Sequence, residues 1–127
     1  MTNGKLTNQS MGRALETASE NGYIDAVKIL AVDFRLAKQS IGRALEKATK
    51  KDHSEILPLL IAGLAQPVLI KYPQNKTFSP LEIKEFQKDT LFISTCLSKA
   101  KEIARSHGYS EIVNHLDATA KGMKINI

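Results

Sequence analysis

The side chains that could do chemistry in this chain are three histidines and one cysteine. His53, His107 and His115 lie apart, without a nearby Cys and without an HExxH-type spacing, so a zinc site is not predicted. Cys96 lies within an apolar helical pattern, where an inert buried thiol is more common than an activated nucleophile. We therefore expect no catalytic residue, no metal ligand and no cofactor.

A phosphate-binding loop is not predicted either. Gly12 and Gly42 are isolated glycines that we place just before helices, whereas a phosphate-binding loop needs clustered glycines between a strand and a helix. The sequence thus favours a non-enzymatic protein without a small-molecule substrate.

Cations are concentrated near two predicted helix ends. The chain carries 18 Lys and Arg against 13 Asp and Glu, a net charge of +5. The two clusters are Arg43, Lys47, Lys50 and Lys51, and Lys99, Lys101 and Arg105. A basic strip can follow nucleic-acid phosphates. Glutamates interleave with these cations and no aromatic residues accompany them, so a solvated helix face is favoured and nucleic acid is the weaker alternative.

The length of 127 residues predicts a single domain spanning 1–127. One cysteine excludes an internal disulfide, and the longest uncharged run, 56–70, is shorter than the ~20 residues that cross a bilayer. We interpret that run as a buried helix followed by a loop over 66–78. Residues 1–10 are polar and unlike a signal peptide. The expected location is the cytoplasm, bacterial or, for a delivered effector, that of a host cell.

An internal repeat organises the first half of the chain. Residues 9–18 (QSMGRALETA) and 39–48 (QSIGRALEKA) are identical at eight of ten positions, and a weaker third copy lies at 108–116 (GYSEIVNHL). Each copy predicts a first helix with small residues four apart, a short turn, and a second helix with apolar residues at helical spacing. The sequence therefore predicts an all-α stack of helix pairs at about 9–33, 39–64 and 93–120, with an insertion at 66–92.

These helix pairs resemble degenerate ankyrin repeats, whose pair reads roughly L-x-x-A-A-x-x-G-H-x-E-I-V-x-x-L. The first copy matches at Leu15, Ala18, Gly22, Val27 and Leu30. The family's T-P-L-H opening is absent, and the spacing of the first two copies is shorter than the family's repeat of ~33 residues. We therefore expect the hairpin between repeats to be trimmed to a turn at about 33–38.

The resemblance implies a protein-binding module, similar to the short ankyrin-like effectors and effector regulators of intracellular bacteria. It implies an adaptor or an inhibitor of a partner protein, such as another effector enzyme. It also places His53 at the family's structural histidine, hydrogen-bonded within its turn.

A partner is expected on the helix-lined face of the stack. The candidate contacts, which lie off the apolar faces, are Arg13, Glu20, Asn21, Arg43, Lys47, Lys50 and Lys51. The repeated Arg13 and Arg43 are the strongest candidates because arginine is enriched at interfaces. The alternative is that these arginines pair with Glu16 or Glu46 along the stack.

The insertion contains a strong helix start. Ser79 is a predicted N-cap, Pro80 the first helical residue, and Glu82 completes a capping box. No helix breaker follows until Gly108, so one helix over 80–107 is possible. Two interpretations stay open: the helix projects to bind a partner or a second copy, or its first half folds back to cover the stack. The proposed homodimer contacts are Ile83, Phe86, Ile93 and Leu97.

Overall fold

The structure, a computed structural model, describes residues 8–31, 37–73 and 75–127. The described residues form six helices and no strand, which confirms the predicted all-α class. The helices are α1 (Asn8–Asn21), α2 (Ile24–Ala31), α3 (Lys38–Lys50), α4 (Leu57–Lys71), α5 (Pro80–His107) and α6 (Ser110–Met123). The trimmed turn predicted at 33–38 falls mostly outside the described residues, which resume at Ala37.

The first helix of each pair ends in the same way. A residue with left-handed backbone follows it, with φ of 77° at Gly22, 59° at Asp52 and 75° at Gly108. The next amide then donates to a helix carbonyl five residues back, over 2.8–2.9 Å: Tyr23 to Ala18, His53 to Ala48, and Tyr109 to Ala104. This is the Schellman arrangement that ends many helices. The three turns therefore align the helix pairs residue by residue, including the third pair beyond the insertion.

The first helices stack directly on one another, α1 on α3 and α3 on α5. A side chain at Gly12 would collide with Ser40, and a Cβ at Gly42 would lie 2.9 Å from Cys96 Sγ. Ser40 and Cys96 occupy the same repeat position, so the same close contact is made twice. The prediction that both glycines precede helices is wrong, because they lie inside α1 and α3. Each glycine lets the next first helix approach closely.

The core fills the space between the two helices of each pair and between successive pairs. Its fully buried members include Leu15, Val27, Ala44, Leu45, Ala48, Ile56, Leu57, Leu60, Leu97, Ala100, Ala104, Ile112 and Leu116. The alanines four apart on α3 and α5 are among them, which accords with their predicted role in close helix packing.

Helix α4 continues beyond its predicted end. It runs to Lys71 with Pro67 inside it, so the prediction of a loop from residue 66 is wrong. Pro67 removes the helix hydrogen bond that the Gly63 carbonyl would accept, and its ring crowds that carbonyl. The apolar face meanwhile continues through Leu64 and Val68, which are buried or packed against the core. That packing keeps the last turns helical.

Helix α5 is a single helix with the predicted capping box at its start. Its second half lies in the stack, whereas its first half extends beside the end of α4. Ile93 and Leu97 are 5% and 0% exposed in the core, so the prediction that they contact a second copy is wrong. Ile83 and Phe86 are 47% and 40% exposed and remain accessible.

Candidate protein-binding surfaces

The three first helices carry a ladder of charges at matching repeat positions. A cation lies at one position, as Arg13, Arg43 and Lys99, and all three are exposed. A glutamate lies three residues later on each helix, as Glu16, Glu46 and Glu102. We call these six residues the charge ladder. The register that aligns 108–116 with the first two copies also places Lys99 and Glu102 at these positions, and the matching turns at Gly22, Asp52 and Gly108 support that register.

One rung of the charge ladder is an ion pair between repeats. Arg43 Nε lies 3.2 Å from Glu16 Oε2, and Arg43 Nη2 donates to Ser40 Oγ at 3.3 Å. The alternative of pairing along the stack is therefore the one observed for Arg43. Within the described residues, Arg13 has no carboxylate partner. The first cation of the ladder is thus presented to solvent, and the second is held in place.

The remaining predicted contacts gather at the turn end of the stack. Asn21, Lys50 and Lys51 are exposed, whereas Glu20 and Lys47 are half-buried. Asn21 Nδ2 donates to the Thr17 carbonyl at 2.9 Å, so its amide closes the end of α1. This end and the two arginines in mid-helix form one face of α1 and α3.

Aromatic and imidazole rings link successive pairs at the turns. His53 Nε2 lies 3.0 Å from the Glu20 carbonyl oxygen, and its ring packs over Gly22. The bond of His53 therefore crosses to the preceding repeat instead of staying within its own turn. Tyr109, at the matching position, donates from Oη to the Lys50 carbonyl at 3.4 Å. The third residue of this position, Tyr23, is 60% exposed.

A second surface lies where the end of α4 meets the first half of α5, a region we call the overhang (residues 66–92). Tyr72 is 7% exposed and packs edge-to-face on Phe78 and Phe86, with ring centroids 5.8 and 5.1 Å apart. Tyr72 Oη donates to Asp89 Oδ2 at 3.1 Å, and burial raises the pKa of Tyr72. The exposed large apolar residues here are Leu69, Ile70, Leu81, Ile83, Phe86 and Leu91.

A cavity of about 940 Å³ opens between the overhang and the N-terminal end of α3. Its walls are mainly apolar, with Lys38, Lys71 and Asp89 among the lining residues. The cavity is bounded by Ala31 and Lys38, which flank a segment outside the described residues.

Cys96 and His107 contact neighbouring residues, whereas His115 Nε2 is buried without a hydrogen-bond partner among the described residues. Cys96 faces Gly42, and burial raises the pKa of its thiol, which disfavours the nucleophilic thiolate at neutral pH. His107 stacks on Tyr109 with ring centroids 5.3 Å apart. The described part of the chain brings together no three His, Cys, Asp or Glu side chains able to hold a metal ion. None of its helices is long and apolar enough to cross a membrane.

Comparison with protein-family models, with curated proteins and with solved structures finds no match for this chain.

Proposed function

We propose that this chain is a protein-binding module without enzymatic activity, acting as an adaptor or as an inhibitor of a partner protein. The observation that carries the proposal is the charge ladder, which repeats across α1, α3 and α5 on one face. Repeat stacks bind partners on such continuous surfaces, with side chains drawn from several repeats. The partner contacts are Arg13 and Arg43, joined by Glu20, Asn21, Lys47, Lys50 and Lys51.

The geometry favours a partner with carboxylates at matching spacing. Arg43 is fixed by Glu16 and Ser40, so little of its conformational freedom is lost on binding. Its remaining guanidinium edge and the exposed Arg13 present planar donors that carboxylates accept bidentately. Another effector enzyme with an acidic surface has the required chemistry.

The test is capture of partners from the native cell, followed by mass spectrometry. The variant R13E/R43E reverses both arginines, and the control K28E/K121E makes the same charge change on α2 and α6, whose Lys28 and Lys121 are exposed. We expect the control to retain one protein partner and R13E/R43E to lose it by about tenfold or more, as for interface hot spots. Equal capture by both variants would refute the proposed face.

The same experiment separates the other functions. Recovery of nucleic acid alone, with affinity falling steeply with salt, would replace the adaptor by the nucleic-acid alternative. If the captured partner is an enzyme, its activity with and without this chain distinguishes an inhibitor from an adaptor.

A homodimer through α5 is the second candidate, favoured by the exposure of Ile83 and Phe86. It predicts a solution mass of twice 14.0 kDa, which the variant I83E/F86E returns to 14.0 kDa. An unchanged mass in that variant would eliminate this interface.

A further inference from the structure

Successive helix pairs make the same type of contact at the end of the stack where their turns lie. A ring residue of the later pair lies within hydrogen-bonding distance of a carbonyl at the end of the earlier pair's first helix, and the His53 ring also packs in a notch beside Gly22. The carbonyl belongs to Glu20 for His53 and to Lys50 for Tyr109. Glu20 and Lys50 occupy the same repeat position, so the contact is made twice with different rings.

The notch of the last pair is open. It has a volume of about 290 Å³ and is lined by Ala104, Arg105, Gly108, Tyr109, Ser110, Val113 and Asn114. A Cβ at Gly108 would meet no atom within 4 Å, whereas one at Gly22 would meet His53 at 2.9 Å. The carbonyl corresponding to those of Glu20 and Lys50 belongs to Ser106. The site that holds the His53 ring beside Gly22 in the first interface is therefore accessible at Gly108.

The first pair presents the matching ring at the opposite end of the stack. Tyr23 is 60% exposed and is the same residue type as Tyr109. The charge ladder shows the same complementarity at one inner interface, since Lys99 and Glu46 form no ion pair at the other. Arg43 pairs with Glu16 of the preceding repeat. If a second copy followed the last repeat in the same way, its Arg13 would pair with Glu102. Both are without an ion-pair partner among the described residues.

We propose that copies of this chain associate head to tail through these two ends. Tyr23 of one copy enters the notch at Gly108 of the next and donates to the Ser106 carbonyl, while Arg13 pairs with Glu102. The occupant is a second copy because one chain carries both halves of the contact and the inner repeats already use it. Such an interface joins different surfaces on the two partners, so it does not close into a symmetric dimer and can extend.

Two features keep this contact weaker than the inner interfaces. Ser98 lies at the repeat position of Gly12 and Gly42, so a docked α1 cannot approach α5 as closely as α3 approaches α1. The residues after α6 also fold back on α5, where Ser94 Oγ donates to the Asn126 carbonyl at 2.9 Å. The contact is therefore limited to the turn end and the Arg13–Glu102 pair, and it is reversible with concentration.

Sedimentation equilibrium over a range of concentrations tests the proposal. We expect the average mass of the wild type to rise above 14.0 kDa and to pass twice that value without a plateau. Y23A removes the ring at one end, and N114W covers the notch at the other; each alone should stay monomeric. Mixed together, they should form pairs that stop at twice the monomer mass, because each has one intact end.

A charge exchange provides the matched check of the second contact. R13E and E102R should each weaken association, and the double variant R13E/E102R should restore it. L69A truncates an exposed apolar residue of α4, away from both ends of the proposed contact, and should leave association unchanged. Circular dichroism of each variant confirms that its fold is retained.

Three results would overturn the proposal. The first is a wild-type mass equal to that of the monomer at every concentration. The second is a plateau at twice that mass that I83A abolishes and Y23A does not, since this would place the contact on α5. The third is growth of the Y23A and N114W mixture beyond pairs.

Discussion

Ile83, Phe86, Thr90, Ile93 and Leu97 of α5 are spaced alternately three and four residues apart, as in a heptad, but the two parts of this helix lie in opposite surroundings. In the second half, Ile93 and Leu97 are at most 5% exposed, because α3 and α6 pack on either side. In the first half, Ile83 and Phe86 continue the same spacing but are 47% and 40% exposed. The heptad fixes which side of the helix is apolar, and the neighbouring helix pairs decide how much of that side is buried.

The two regions are also held by different forces. The stack relies on small residues that bring backbones together, such as Gly42 against Cys96. The overhang relies on a polar anchor, in which Asp89 accepts from Tyr72 and lies within 3.8 Å of Lys38 and Lys71. Loss of a contact in the stack should therefore affect global stability, whereas loss of a contact in the overhang should act locally.

The largest change in the free energy of unfolding is expected when one residue of the heptad spacing is truncated in the stack, compared with one truncated in the overhang. Leu97→Ala should lower the free energy of unfolding by about 2–5 kcal/mol, since it leaves a cavity in a fully buried site. Phe86→Ala should lower it by about 1 kcal/mol, the worth of an aromatic pair such as the one with Tyr72. Urea denaturation measures both values. Equal losses would show that the overhang is part of the cooperative core.

Smaller changes in the free energy of unfolding are expected from substituting two glycines that lie within helices. A Cβ at Gly63, at the base of the overhang, would lie 2.7 Å from the Ala31 carbonyl oxygen, a backbone atom that cannot rotate away. Gly63→Ala should therefore cost about 1–3 kcal/mol. Gly122→Ala in α6 meets no atom within 4 Å and should gain about 0.5–1 kcal/mol from helix propensity. The two melting temperatures should shift in opposite directions; a shared direction would argue against the close approach at Gly63.

Loss of the polar anchor at Asp89 should loosen the overhang and leave the stack unchanged. Asp89→Ala removes the acceptor of Tyr72 and the partner of two lysines, so amide hydrogen exchange over 80–89 should accelerate by about tenfold. Exchange over 97–107 should stay unchanged. The matched control is Asp117→Ala, which breaks the 2.8 Å pair with Lys101 at the end of the stack. If the control accelerated exchange at 80–89 equally, Asp89 would not be a specific anchor.

The sequence allowed the repeat, the turns and the start of α5 to be predicted, because each depends on local residues such as Gly22, Ser79 and Gly108. The errors came from nonlocal packing. Pro67 signals a helix end, but the buried face of α4 continues past it. Gly12 and Gly42 read as helix starts, but their role is defined by α3 and α5 packing on them. Of the site, Arg13 and Arg43 were predicted because they repeat in the first two copies, whereas Lys99 and Glu102 were not recognised as their counterparts although the register of the third copy places them at the same positions.

The smallest change in stability is expected at the first turn of α5, which lies within the overhang. Ser79 N–H donates to Glu82 Oε1 at 3.0 Å, and Glu82 N–H donates to Ser79 Oγ at 3.3 Å. The Glu82 carboxylate accepts hydrogen bonds from the Ser79 backbone N–H, the larger cause, and from the Ser79 side chain, and these lower the pKa of Glu82 below its ordinary value of 4.5. The stabilisation is therefore present above that ordinary value and is lost as the pH falls through the pKa of the folded state.

Ser79→Ala should move the pKa of Glu82 back toward its ordinary value and fray the first turn of the helix. A carboxyl titration by NMR measures the pKa, and hydrogen exchange of the 81–83 amides measures the fraying. The melting temperature should stay close to that of the wild type, because the affected turn lies in the overhang and not in the stack. A large global loss in this variant would instead make the cap a determinant of the whole fold and remove the distinction between the two halves of α5.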